Sequence, residues 1–174
     1  MTSNFRVLGA GVWGLAFSDY LLKLGHNVEI FCRDTNLSNK NISGLKLSHV
    51  SEKNLMSLDT LNAQKSNGEI NIIAVNSKGF SDLLNKHESY FSTLDELVSL
   101  TKGLDHISGK YFNDYVFDMF SNIKKYGLIS GPSFAKDLCH EKKISVSFAT
   151  LDNKLSNLMV EATKSSYFEM IPTT

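Results

Sequence analysis

Three glycines spaced Gly9-x-Gly11-x-x-Gly14, an arginine at the tip of one apolar run (Arg33), a lysine at the end of another (Lys102), and a serine just after Gly131-Pro132 (Ser133) are the residues here whose types and spacing can do chemistry. Glycines at this spacing suit a dinucleotide. The first permits a tight turn, the second lets the backbone approach a pyrophosphate, and the third lets a helix pack closely on a strand. The amides and dipole of the helix start then attract the phosphates. The plainer alternative is a glycine turn that binds something else, or nothing. Arg33 suits a 2′-phosphate or the face of an adenine, against an ordinary solvated arginine. Asp34, twenty residues after Gly14, stands near where an acidic ribose ligand is sought, so the choice between NAD and NADP stays open, leaning to tolerance of NADP. Lys102 can hold a substrate phosphate or polarise a carbonyl, against an ordinary surface lysine. Ser133 can cap a helix or donate to a phosphate, against a plain helix start.

Such groups need a frame, and the surrounding patterns supply one. The apolar run 5–8 reads as a strand entering the glycine turn, and Leu15, Tyr20, Leu21, Leu22 and Leu24, stopped by Gly25, read as a helix. The run 28–32 is a second strand, which completes the βαβ setting. Residues 36–68 are polar and weakly patterned; loops, one or two short strands near Leu45–Leu47 and Leu55–Met56, and a helix over 59–65 are expected. Ile70–Val75 reads as a central strand, followed by a helix from about Ser77 that turns Phe80, Leu83 and Leu84 inward. Leu97–Leu100 is a strand with Lys102 at its carboxyl end, where open α/β sheets bind ligands. A helix is expected over 111–124 with Tyr111, Tyr115, Met119 and Phe120 as its apolar stripe. Strands at 128–130, 144–149 and 167–171 and a helix at 155–164 complete the pattern. Alternating strands and helices predict an α/β, doubly wound, mostly parallel sheet over residues 1–174 as a single domain.

Eighteen basic residues balance eighteen acidic ones in 174 residues, which gives no electrostatic case for nucleic acid or an anionic membrane. No apolar run nears the ~20 residues that span a bilayer. The early first strand leaves no room for a signal peptide, so a cytoplasmic protein is expected. Cys32 and Cys139 read as two idle thiols, and the five histidines as surface or loop residues; no metal site is expected.

Three motifs in order, Gly9-Ala10-Gly11-Val12-Trp13-Gly14, Thr101-Lys102-Gly103-Leu104-Asp105 and Ser130-Gly131-Pro132-Ser133-Phe134-Ala135-Lys136-Asp137-Leu138, resemble bacterial-type NAD(P)-dependent glycerol-3-phosphate dehydrogenase. The third motif is the most specific. The resemblance runs along the whole chain but matches the family's amino-terminal half, a Rossmann-like cofactor domain. It implies that Gly9, Gly11, Val12, Trp13 and Gly14 cradle the pyrophosphate of NAD or NADP. Arg33 would lie near the adenosine ribose, and Ala135 would touch the cofactor. Lys102 would be catalytic, contacting both cofactor and substrate, with Gly131 and Ser133 on the substrate side. The implied reaction is hydride transfer between NAD(P)H and glycerone phosphate, giving sn-glycerol 3-phosphate for phospholipid synthesis. A homodimer is a family possibility that this sequence leaves open.

Departures accompany the resemblance. Val12 stands where the family often has serine, and Asn76 where proline is common; region 36–68 is short and lacks the usual proline-containing loop. The family's helical second domain, with its main catalytic lysine and its phosphate-binding Arg-Asn pair, has no counterpart after Ile171. The 174 residues alone are therefore expected to bind cofactor but turn over poorly. Two other readings compete. One is a stand-alone NAD(P)-binding module without turnover. The other is a related Rossmann reductase of the 6-phosphogluconate or ketopantoate type, against which Gly131–Ala135 argues.

Overall fold

The β-branched and aromatic runs become strands because each can be buried on both sides of a sheet. In the computed structural model, which describes residues 2–37, 44–61 and 68–174, these strands are β1 (Asn4–Leu8), β2 (Asn27–Cys32), β3 (Leu55–Ser57), β4 (Ile70–Ile73), β5 (Glu96–Ser99), β6 (Lys125–Ser130), β7 (Ile144–Thr150) and β8 (Phe168–Thr173). The helices are α1 (Val12–Lys23), α2 (Phe80–Lys86), α3 (Glu88–Phe91), α4 (Phe112–Met119), α5 (Ala135–Cys139) and α6 (Asn153–Ala162). Among the described residues the strands form one eight-stranded sheet in the order β3-β2-β1-β4-β5-β6-β7-β8. The first six run parallel, β7 turns antiparallel to β6, and β8 runs parallel to β7. This is the doubly wound α/β sheet expected from the sequence.

Register places like with like. Phe5 pairs with Val28 on one side and Ile70 on the other, and Val7 pairs with Ile30 and Ile72. These six side chains share a core with Leu15, Phe17 and Leu21 of α1 and with Leu155 and Met159 of α6. The alternate positions Leu8, Phe31 and Ile73 face the opposite way, into Phe80 and Leu84 of α2, Phe91 of α3, and Phe112 and Val116 of α4. The sheet is thus sandwiched between two helical layers. β4 is buried at all four positions, and each such isoleucine contributes about 1.5–3 kcal/mol.

Several details differ from the sequence reading. α4 ends at Met119, and its buried stripe is Phe112 and Val116, continued by Phe120; Tyr111 is exposed. Phe120 is buried as expected, and Tyr115 and Met119 pack partly buried against the same core; Phe112 takes the place expected for Tyr111, stacked on Phe80 with ring centroids 4.0 Å apart. Residues 45–47 form no strand, whereas Leu55–Ser57 does. Of the helix expected at 59–65, residues 62–65 lie outside the described residues, and 58–60 form a single 3₁₀ turn. His26 is buried rather than a surface residue: its Nδ1 accepts the Ser3 N–H at 3.1 Å, and its Nε2 lies 2.7 Å from the Ala162 carbonyl oxygen. His87 is buried too.

Candidate functional site

The strand order reverses between β1 and β4, the position where open α/β sheets leave a crevice beyond the carboxyl ends of the strands. The turn from β1 into α1 sits there. It is pinned from both neighbours, with Gly9 N–H donating to the Phe31 carbonyl at 2.8 Å and Ala74 N–H donating to the Leu8 carbonyl at 2.9 Å.

The three motif glycines serve different ends. Gly9 has φ +125°, and a Cβ on it would lie 2.7 Å from the Ala74 carbonyl oxygen. A Cβ on Gly14 would lie 2.1 Å from the Gly9 carbonyl oxygen. Both are demanded by the chain's own backbone. Gly11 is not: it has extended backbone (φ −75°, ψ 177°), and the nearest atom to an added Cβ is the Ala74 carbonyl oxygen at 3.9 Å. No described atom comes close enough to demand glycine at position 11, and that residue lines a cleft of about 710 Å³. The start of α1, with Gly11 as its N-cap, has no side-chain cap and no acidic residue in its first turn. Its amide dipoles are therefore suited to an anion, with no acidic side chain of the first turn competing.

The cleft is lined by Gly9, Ala10 and Gly11 of the glycine turn and by Arg33 and Asp34, just past β2. Leu83 and Lys86 of α2, His87 just after it, and Leu58 line it too. Asn76 also lines it. It caps the following 3₁₀ turn, its Oδ1 accepting the Gly79 N–H at 2.8 Å.

A second grouping lies at the ends of β5 and β6. Ser99 Oγ donates to the Thr101 carbonyl and accepts the Thr101 N–H, both at 3.0 Å, and Thr101 Oγ1 donates to the Val75 carbonyl at 2.8 Å. That frame presents Lys102, whose Nζ donates to the Gly131 carbonyl oxygen at 3.0 Å. Asp105 anchors the next turn. Its Oδ2 accepts the N–H of Ser108 at 2.7 Å and of Ile107 at 3.2 Å, and the Ser108 hydroxyl at 2.8 Å. These hydrogen bonds, the Ser108 N–H foremost, hold its carboxyl down at about 2.

The sequence-derived residues therefore fall into two groups. Gly9, Gly11 and Arg33 share the cleft; Val12 is exposed beside it, and Trp13 is half-buried against the core of the α1 layer. Lys102 meets Gly131, and Gly131 is held at φ +155° against β7, where a Cβ would come 3.2 Å from Val146 Cα. Ser133 caps nothing: α5 begins at Ala135 with Phe134 as an N-cap lacking a side-chain bond. Lys102, Ser133 and Ala135 do not line the cleft. Sequence reasoning missed Asp19, whose Oδ1 accepts the N–H groups of Ser48, His49 and Val50 at 2.7–2.9 Å and ties that loop to α1. It also missed His87, although Phe80, Leu83, Leu84 and His87 follow helical spacing, which puts the histidine on the buried face.

Strand order, glycine turn and cleft together define a Rossmann-type dinucleotide-binding fold. Residues 4–156 match the family described as NAD-dependent glycerol-3-phosphate dehydrogenase N-terminus, and the chain belongs to that family. An NAD(P)+ glycerol-3-phosphate dehydrogenase of Francisella tularensis subsp. novicida is 28% identical over 180 residues, covering 100% of this chain and 54% of the relative. One from Beijerinckia indica is 24% identical over 175 residues, covering 95% of this chain and 51% of the relative. The chain spans about half the length of these curated relatives. Among solved structures, glycerol-3-phosphate dehydrogenase from Coxiella burnetii superposes with a TM-score of 0.79 at 20% identity, over 99% of this chain and 54% of that one. That likeness establishes a shared fold.

Proposed function

We propose that this chain is the part of an NAD(P)-dependent glycerol-3-phosphate dehydrogenase that holds the dinucleotide, and that residues 1–174 act as one cofactor-binding unit. The observation that carries the reading is Gly11: its missing side chain relieves no close approach among the described residues and leaves room in the cleft. The pyrophosphate is assigned to the turn Gly9–Gly14 and the start of α1, where Val12 and Trp13 stand. Arg33 is assigned to the adenosine ribose, with its charge available to a 2′-phosphate. Ala135 is assigned to the cofactor on the β6 side.

When bound, the nicotinamide supplies or accepts the hydride exchanged with glycerone phosphate or sn-glycerol 3-phosphate. Lys102 presents a cation from a loop braced by Ser99 and Thr101, suited to an oxygen that gains negative charge. Gly131 and Ser133 are assigned to the substrate. Alone, the 174 residues are expected to bind cofactor with little turnover, since orienting both reactants is worth on the order of 7–11 kcal/mol in favourable cases, and the related enzymes bring about twice this length of chain to the task. No helix among the described residues is long and apolar enough to cross a membrane. A role in phospholipid synthesis in the cytoplasm is part of the proposal and rests on the family resemblance. Calorimetric titration with NADH and NADPH tests the reading. Saturable one-site binding of at least one is expected, and no heat of binding from either defeats it.

A further inference from the structure

His87 has no role in the reading above, yet three observations single it out. It lines the same cleft as the glycine turn. The residue is 8% exposed, and its Nε2 is buried without a hydrogen-bond partner among the described residues. Its backbone is anchored, with its N–H donating to the Leu83 carbonyl at 3.1 Å and its carbonyl accepting the N–H groups of Tyr90 at 2.9 Å and Phe91 at 3.2 Å. A buried polar atom without a partner is costly in a folded protein unless something else satisfies it. We infer that His87 is a binding residue for the adenine of a dinucleotide seated in the cleft, its imidazole edge hydrogen-bonding the base. This rests on the cofactor reading and extends it to a residue outside every motif.

The surroundings favour a neutral base over a phosphate at this point. Leu58 and Leu83, both largely buried, line the cleft with His87, a setting for a flat apolar ring. Burial first, and the charge of neighbouring Lys86 second, hold the His87 pKa below its usual value, with Asp59 opposing weakly. The ring is thus neutral near pH 7, with one donor and one acceptor nitrogen. Adenine offers acceptor ring nitrogens and a donor amino group, so it can complement either tautomer. The cation suited to a 2′-phosphate is Arg33, on the segment just past β2; Lys86 Nζ is 3.2 Å from Asp59 Oδ1.

The test combines a variant with a measurement on the unaltered chain. His87→Leu should weaken ADP-ribose and NADH by about three- to tenfold, the loss of one net hydrogen bond, with a melting temperature of the unliganded chain no lower than before, since a buried unpaired polar atom is removed. In the unaltered chain the His87 imidazole ¹⁵N resonances should shift on adding AMP and stay put on adding nicotinamide mononucleotide. That spectrum decides the matter alone if the variant fails to fold. Unchanged ADP-ribose affinity in a folded variant, or an imidazole that ignores AMP while NADH still binds, overturns the role of His87 and leaves the cofactor reading standing. Failure of the unaltered chain to bind either NADH or NADPH overturns both.

Discussion

Lys102 Nζ donates to the Gly131 carbonyl oxygen across 3.0 Å, joining the loop after β5 to the loop after β6. Two motifs separated by nearly thirty residues in the sequence thus meet at one point, at the carboxyl ends of adjacent parallel strands. The contact is exposed, so its value for stability is small.

Lys102→Ala separates those two contributions. Stability should change by no more than about 0.5 kcal/mol, as for exposed substitutions generally. Turnover of a full-length enzyme carrying this domain should fall by about 10²–10³-fold, the scale of losing one group that stabilises developing negative charge. NADH oxidation with glycerone phosphate, run beside a thermal melt, reads both. Turnover near the unaltered rate would remove Lys102 from the chemistry.

Glycine substitutions should sort by cause. Gly14→Ala forces a methyl into the Gly9 carbonyl, 2.1 Å away, and should cost about 3 kcal/mol or more, the upper range for overpacking. Gly11→Ala has extended backbone and free space, and should change stability by less than about 1 kcal/mol. Urea denaturation of the two variants checks the contrast, and equal losses would contradict it.

Arg33→Ala should weaken NADPH more than NADH, because only NADPH carries the 2′-phosphate that a guanidinium can grip. Parallel titrations measure the ratio. Equal weakening would confine Arg33 to stacking or to general attraction.

Asp105 gives a pH signature. Its carboxyl is held below the ordinary 3.8, at about 2, so its contribution is fully present above pH 4 and is lost as the pH falls towards 2. Asp105→Asn should cost about 1–3 kcal/mol at pH 6, from weakened hydrogen bonds to a buried charge. The gap between variant and unaltered chain should shrink as denaturation is repeated at lower pH. A gap constant down to pH 2 would contradict the assignment.

Much of this arrangement was legible in the sequence because local signals and fold agree there. Phe5–Leu8, Gly9–Gly14, Val28–Cys32 and Ile70–Val75 carry strand, turn and helix patterns that the sheet uses directly. Where tertiary contacts decide, the reading slipped. Phe112 takes the place expected for Tyr111, stacked on Phe80 from a helix thirty residues earlier. Ser133 resembles a helix cap, yet α5 starts two residues later. Leu45–Leu47 resembles a short strand, but the neighbouring backbone is claimed by Asp19, whose carboxylate takes three consecutive N–H groups at 48–50. His87 was legible in principle, since helical spacing places it with Phe80 and Leu84; its isolation from any motif hid it.

The central claim is that the space beside Gly11 holds a dinucleotide pyrophosphate, and Gly11→Val tests it most directly. A Cβ at position 11 comes no nearer than 3.9 Å to a described atom, so the fold should survive, with about 1 kcal/mol lost from a poorer helix cap. NADH affinity measured by calorimetry should fall by about a hundredfold, or about 2.7 kcal/mol. A folded Gly11→Val variant that binds NADH as tightly as the unaltered chain would contradict the account.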